Sequence, residues 1–76
     1  MTALTLVKRG VLIQMLRAAA REAGPDLVSL RNSGGHEVLS LGGLRIVVPD
    51  HRDIAEGTAR SILRQAAERL GEEWWT

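Results

Sequence analysis

Two adjacent glycines, Gly42 and Gly43, stand between two short runs of β-favouring residues, 36–41 and 44–48. No other feature of the chain restricts its fold as much. A two-residue connection between strands takes a primed turn, whose central positions need positive φ and therefore favour glycine. Read literally, the turn pairs Leu41 with Leu44, Leu39 with Ile46 and Val38 with Val47. Side chains alternate along a strand, so Leu39, Leu41, Leu44 and Ile46 share the face that should meet the core. Val38, Ser40, Arg45 and Val47 take the other face, and His36 has their parity.

On either side of this hairpin the apolar spacing becomes helical. Over residues 8–23, Val11, Leu12, Met15, Leu16, Ala19 and Ala23 follow a helical period, and Gly24-Pro25 supplies the stop. Residues 27–31 read as a short strand and 32–35 as a turn. Near the end, Ala59, Ile62, Leu63, Ala66 and Leu70 form the buried stripe of a second helix. Asp53-Ile54-Ala55-Glu56 matches a capping box, but Gly57-Thr58 is the preferred opening, with 53–56 as a preceding turn. The tail 72–76, with Trp74 and Trp75, is expected to fray. The expected fold class is therefore α+β, in the order α-β-β-β-α. Its three-stranded antiparallel sheet carries both helices on one face. The chain reads as a single domain, 1–76, with its core over about 8–70.

A chain of 76 residues builds a thin core, and a stability margin of about 3–5 kcal/mol is expected without covalent or metal staples. Cysteine is absent, which excludes disulfides, thiol chemistry and zinc–thiolate sites. No apolar run is long enough to span a membrane. The charges at Lys8 and Arg9 follow the first apolar stretch, the reverse of a secretory signal, so a cytoplasmic location is expected. Net charge is only +1, yet nine of the ten basic residues are arginine, the side chain whose planar fork suits phosphate. Phe and Tyr are absent, which argues against recognition by base stacking.

His36 is the residue whose placement looks most chemical. It follows Ser33-Gly34-Gly35, where glycines allow a sharp turn and close approach of a ligand. An imidazole at the head of an outward-facing strand is suited to proton transfer. A surface histidine beside an ordinary turn would satisfy the same pattern. His51 follows Pro49-Asp50, and in the hairpin register Pro49 lies opposite His36, so the two histidines come near each other. Asp50 and Asp53 are close in sequence, but no metal-ligand spacing is present, and no metal or other cofactor is expected. Arg45, Arg60 and Arg64 are candidate phosphate contacts, backed by Arg31 and Arg52, and a helix opening at Thr58 offers free N–H groups to an anion. Pairing with Glu56, Asp53 or Glu68 would instead make these arginines ordinary surface residues.

Three stretches in order resemble the HicA toxin family: Ser33-Gly34-Gly35-His36, Pro49-Asp50-His51, and Gly57-Thr58-Ala59-Arg60-Ser61-Ile62-Leu63. In that family a Gly-Ser-(Asn/His)-His turn is followed by a strand ending in Pro-x-His and by Gly-Thr-x-x-x-Ile-Leu. The resemblance covers about residues 10–70. It implies a double-stranded-RNA-binding-domain-like fold, metal-independent cleavage of mRNA with His36 as catalytic histidine, and a HicB-like antitoxin covering the His36 face. Ser33, Gly34, Gly35 and His51 become auxiliary candidates, and Arg45 and Arg60 the favoured phosphate contacts. The chain departs from the pattern in placing Ser33 one residue early and in carrying Glu37 after the histidine. By parity Glu37 faces inward, which would call for a later strand start or a bulge. A non-catalytic RNA-binding module and a protein-interaction scaffold using the sheet face and the Trp74-Trp75 tail remain as alternatives.

Overall fold

A computed structural model of the chain describes residues 6–71. Gly42 and Gly43 adopt φ of 56° and 89°, and the turn they form joins strands β3 (His36–Leu41) and β4 (Leu44–Pro49). The ladder has the register that the glycine pair implies, from Leu41 opposite Leu44 to His36 opposite Pro49. Strand β2 (Leu27–Ser33) pairs antiparallel with β3, giving a three-stranded sheet in the order β2-β3-β4.

Helices α1 (Arg9–Ala23) and α2 (Glu56–Leu70) cover one face of this sheet. The core gathers Leu12, Leu16 and Ala20 from α1 and Ala59, Ile62, Leu63 and Ala66 from α2 against Leu39, Leu41, Ile46 and Val48 of the sheet. Leu44 and Leu70 are partly buried at its margin. The α-β-β-β-α layout with both helices on one face is thus the observed one, and the α2 stripe is the one its spacing defines. Helix α1 is rotated slightly from expectation: Ala20 is buried, whereas Val11 is 50% exposed. Gly24, at φ 108°, ends α1 and donates its N–H to the Ala20 carbonyl at 2.8 Å.

Three local features differ from the sequence reading. Strand β2 runs on through Ser33, leaving only Gly34 and Gly35 to make the turn. Residues 53–55 form a strand rather than a turn: β5 (Asp53–Ala55) pairs with β1 (Leu6–Lys8) in a separate two-stranded ladder. Helix α2 accordingly starts at Glu56, not Thr58. Its N-cap is Ala55, without a side-chain capping bond, so neither the capping box nor a threonine cap forms. Ile54 explains the change, because pairing with Val7 holds it in the core at 2% exposure. The expectation of a frayed tail with Trp74 and Trp75 concerns residues outside those described. Among the described residues, no helix is long and apolar enough to cross a membrane.

Candidate functional site

The outer face of the sheet is open. His36, Val38 and Ser40 project from β3, flanked by Arg45 and Val47 on β4 and by Val28, Arg31 and Ser33 on β2. A bulge between Ser29 and Arg31 decides this arrangement. Leu30 is the extra residue, and the insertion puts Arg31 directly opposite Val38 instead of on the core side. Leu30, Arg31, Val38 and Arg45 line a shallow cleft of about 180 Å³. Arg31 and Arg45 are exposed and form no ion pair among the described residues. Val28, Leu30 and Val47, each 49% exposed, supply an apolar surround.

His36 stands at the end of this face. Gly34 and Gly35 take φ of 63° and 80°, a left-handed pair that other residues adopt with difficulty. They turn the chain between Ser33 and His36, which lie opposite each other across the ladder. The His36 Nδ1 is 3.2 Å from the Gly34 carbonyl. A carbonyl only accepts, so in the tautomer that makes this contact a hydrogen bond Nδ1 carries the proton and Nε2 is left as an acceptor. The exposed imidazole can therefore take a proton from a ligand. Pro49 lies opposite it, and the Asp50 N–H donates to the Gly35 carbonyl at 2.8 Å. His51 follows in the exposed loop, one residue beyond that bond. Among the described residues, no group of three or more His, Asp or Glu side chains could hold a metal.

Glu37 points to the core side, as its parity requires, but β3 carries no bulge and starts at His36. A cluster that the sequence reading did not anticipate accommodates it. Arg9, the first residue of α1, pairs with Glu37 through Nη2, and the Ser29 hydroxyl donates to the other carboxylate oxygen at 2.6 Å. Arg9 Nε also donates to the Pro49 carbonyl at 3.1 Å and lies 3.7 Å from Asp50 Oδ1. The signal was an inward-facing acid in a strand, which demands a cation from whatever element lies beneath it.

Arg52 is exposed in the loop before β5, and the other candidates belong to the helix layer. Arg60 and Arg64 are exposed on α2, and Arg60 pairs with Glu56 at 3.5 Å, one turn away. Arg60 borders a groove with Val7, Leu12 and Met15. Thr58 is exposed in the first turn of α2. The fold thus brings Arg31, Arg45, Ser33 and His36 to one face, and carries Arg60, Arg64 and Thr58 on an element that covers the other.

These features define a small α+β domain that displays a histidine and two arginines, neither ion-paired among the described residues, on an open sheet face. The family model for the HicA toxin of bacterial toxin–antitoxin systems matches residues 13–67, and the chain belongs to that family. It is accordingly the toxin member of a toxin–antitoxin pair, with an antitoxin as its partner. No match is found among curated proteins or among solved structures.

Proposed function

We propose that this toxin is an endoribonuclease that cleaves mRNA without a metal, using His36 as its proton-transfer group. The observation that carries the reading is the exposed His36 imidazole, with Nε2 available, on the same face as Arg31 and Arg45. In the proposed reaction His36 Nε2 removes the proton from a ribose 2′-hydroxyl. The 2′-oxygen attacks the adjacent phosphorus and the bond from phosphorus to the 5′-oxygen breaks. The leaving oxygen takes a proton, returned by the imidazolium, and the products are a 2′,3′-cyclic phosphate and a 5′-hydroxyl. Arginine guanidinium groups stabilise the charge that develops on the phosphate oxygens. Arg31 and Arg45 are the proposed phosphate contacts, being on the His36 face and without an ion pair among the described residues; Arg60 is already opposed by Glu56.

RNA is then held by backbone charge on a sheet that has no aromatic platform, and cleavage takes place in the cytoplasm. The antitoxin in this reading is HicB-like. It covers the outer face, where Val28, Leu30 and Val47 offer apolar contact around the arginines. Incubation of purified protein with a defined mRNA, with and without chelator, tests the proposal. Fragments ending in a cyclic phosphate, formed equally in chelator and lost in His36→Ala, are expected. Salt-sensitive binding without cleavage would replace the enzyme by an RNA-binding module.

A further inference from the structure

We infer that Arg9 is a positioning residue for His36, acting through the backbone on all sides of the histidine. The inference rests on His36 being the reacting group. Arg9 does not touch His36, but its contacts fall on the neighbours. It pairs with Glu37, the next residue, and donates to the carbonyl of Pro49, the residue opposite. It also lies beside Asp50, whose N–H holds Gly35, the residue before. The Arg9 backbone N–H donates to the Arg52 carbonyl at 3.0 Å, so α1 begins bound to the loop that carries His51.

The head of β3 needs such a tether. Residues 33–36 are all exposed, Val38 faces outward, and the first core side chain of the strand is Leu39. Between the glycine turn and Leu39 the only inward side chain is that of Glu37. Its carboxylate, gripped by Arg9 and Ser29, fixes the pleat from which His36 rises on the opposite face. Lysine would not substitute, because one ammonium does not span the Glu37 carboxylate and the Pro49 carbonyl as the guanidinium fork does. A shift of about 1 Å in the imidazole is enough to cost about a hundredfold in rate.

The test uses the full chain as wild type, Arg9→Gln and Arg9→Gln/Glu37→Gln. Melting temperature, kcat and KM on RNA, and the imidazole carbon–proton NMR signals are measured for each. The two histidines allow His51 to serve as the internal reference. The single variant leaves a partly buried carboxylate unpaired and should melt earlier. The double variant removes that charge and should recover most of the melting temperature. In both, kcat should stay about ten- to a hundredfold down with KM little changed, because the link to Pro49 is still missing. The His36 signal should shift or broaden more than that of His51. Activity that returns with stability in the double variant, or a His36 signal identical to wild type, overturns the inference. If the wild type cleaves no RNA, the ribonuclease reading fails, and the His36 signal alone decides whether Arg9 positions it.

Discussion

Pro49 stands directly opposite His36 in the β3–β4 ladder, and the strand pairing ends there. Proline has no N–H to offer the ladder. The next donor, the N–H of Asp50, turns to the Gly35 carbonyl at 2.8 Å and closes the end of the sheet through the backbone. Closure by backbone leaves the His36 side chain, among the described residues, with only its contact to Gly34. The same proline carbonyl accepts from Arg9. One residue thus ends the strand, borders the candidate site and anchors the helix beneath it.

Replacing His36 by alanine should abolish RNA fragmentation and growth arrest while leaving the fold intact. The side chain is exposed, so its removal should change stability by about 0.5 kcal/mol or less. Loss of a proton-transfer group should lower the rate by about 10²–10⁴. Brief induction of both proteins at matched soluble levels, followed by RNA gels and growth curves, checks this. Equal cleavage by the two would move the chemistry to another residue, with His51 the first to substitute.

Phosphate contacts should be separable by their salt dependence. Each contact to a single strand contributes about 0.7 to the slope of log affinity against log salt. Arg45→Gln and Arg31→Gln should each weaken binding to a short RNA and lower that slope by about this amount. Arg60→Gln should leave it nearly unchanged, since Glu56 lies 3.5 Å from its guanidinium on the helix layer. Binding curves at several salt concentrations with the His36→Ala background, which avoids cleavage, give the answer. A larger effect at Arg60 would move the RNA path off the sheet and onto the helices.

The hairpin that carries His36 was legible because its information is local: two glycines fix the turn, and parity does the rest. The apolar stripe of α2 was legible for the same reason. Arg31 was named as a backing phosphate contact, but its facing was not legible, because one unpaired residue at Leu30 reverses the facing of Arg31 and its successors, and nothing in the composition of β2 marks a bulge. Strand β5 was hidden by its shortness and by the distance to its partner. The first three residues of the capping-box match are held extended by β1, from the other end of the chain. Glu37 was read with the correct facing but without its partner. Arg9 follows Lys8 in a basic pair, and only the assembled fold distinguishes the one that turns inward from the one that pairs with Asp53 near the surface.

The β1–β5 ladder should matter to stability through Ile54 rather than through its exposed residues. Ile54 is 2% exposed, whereas Leu6, at the end of β1, is 58% exposed. Ile54→Ala should destabilise by about 2–4 kcal/mol, and Leu6→Ala by about 0.5 kcal/mol or less. Urea titrations followed by circular dichroism compare them. A small loss at Ile54 would mean that the ladder is an ornament to a core held by the helices and main sheet alone.

The two turn glycines should differ in a way that their shared backbone conformation does not predict. Both have positive φ, so alanine at either position incurs a conformational penalty of about 1–2 kcal/mol. A Cβ at Gly43 meets nothing within 4 Å, but at Gly42 it would lie 2.9 Å from Pro25 Cβ and 3.4 Å from Arg69 Cδ. The arginine can swing aside; the proline ring cannot, because it sits in the α1–β2 connection that the Gly42 N–H binds through the Asp26 carbonyl at 2.9 Å. Overpacking adds about 1–3 kcal/mol at Gly42 alone. For a domain of this size each 1 kcal/mol moves the melting temperature by about 4–8 °C. Gly42→Ala should therefore melt at least about 4 °C below Gly43→Ala, by calorimetry or circular dichroism. With a total margin of about 3–5 kcal/mol, it should also leave a measurable unfolded fraction at 37 °C. Equal melting temperatures would show that the hairpin tip moves away from Pro25, and that its attachment to the helix layer is looser than the Asp26 bond and the 3.2 Å bond from Arg69 Nε to the Gly42 carbonyl require.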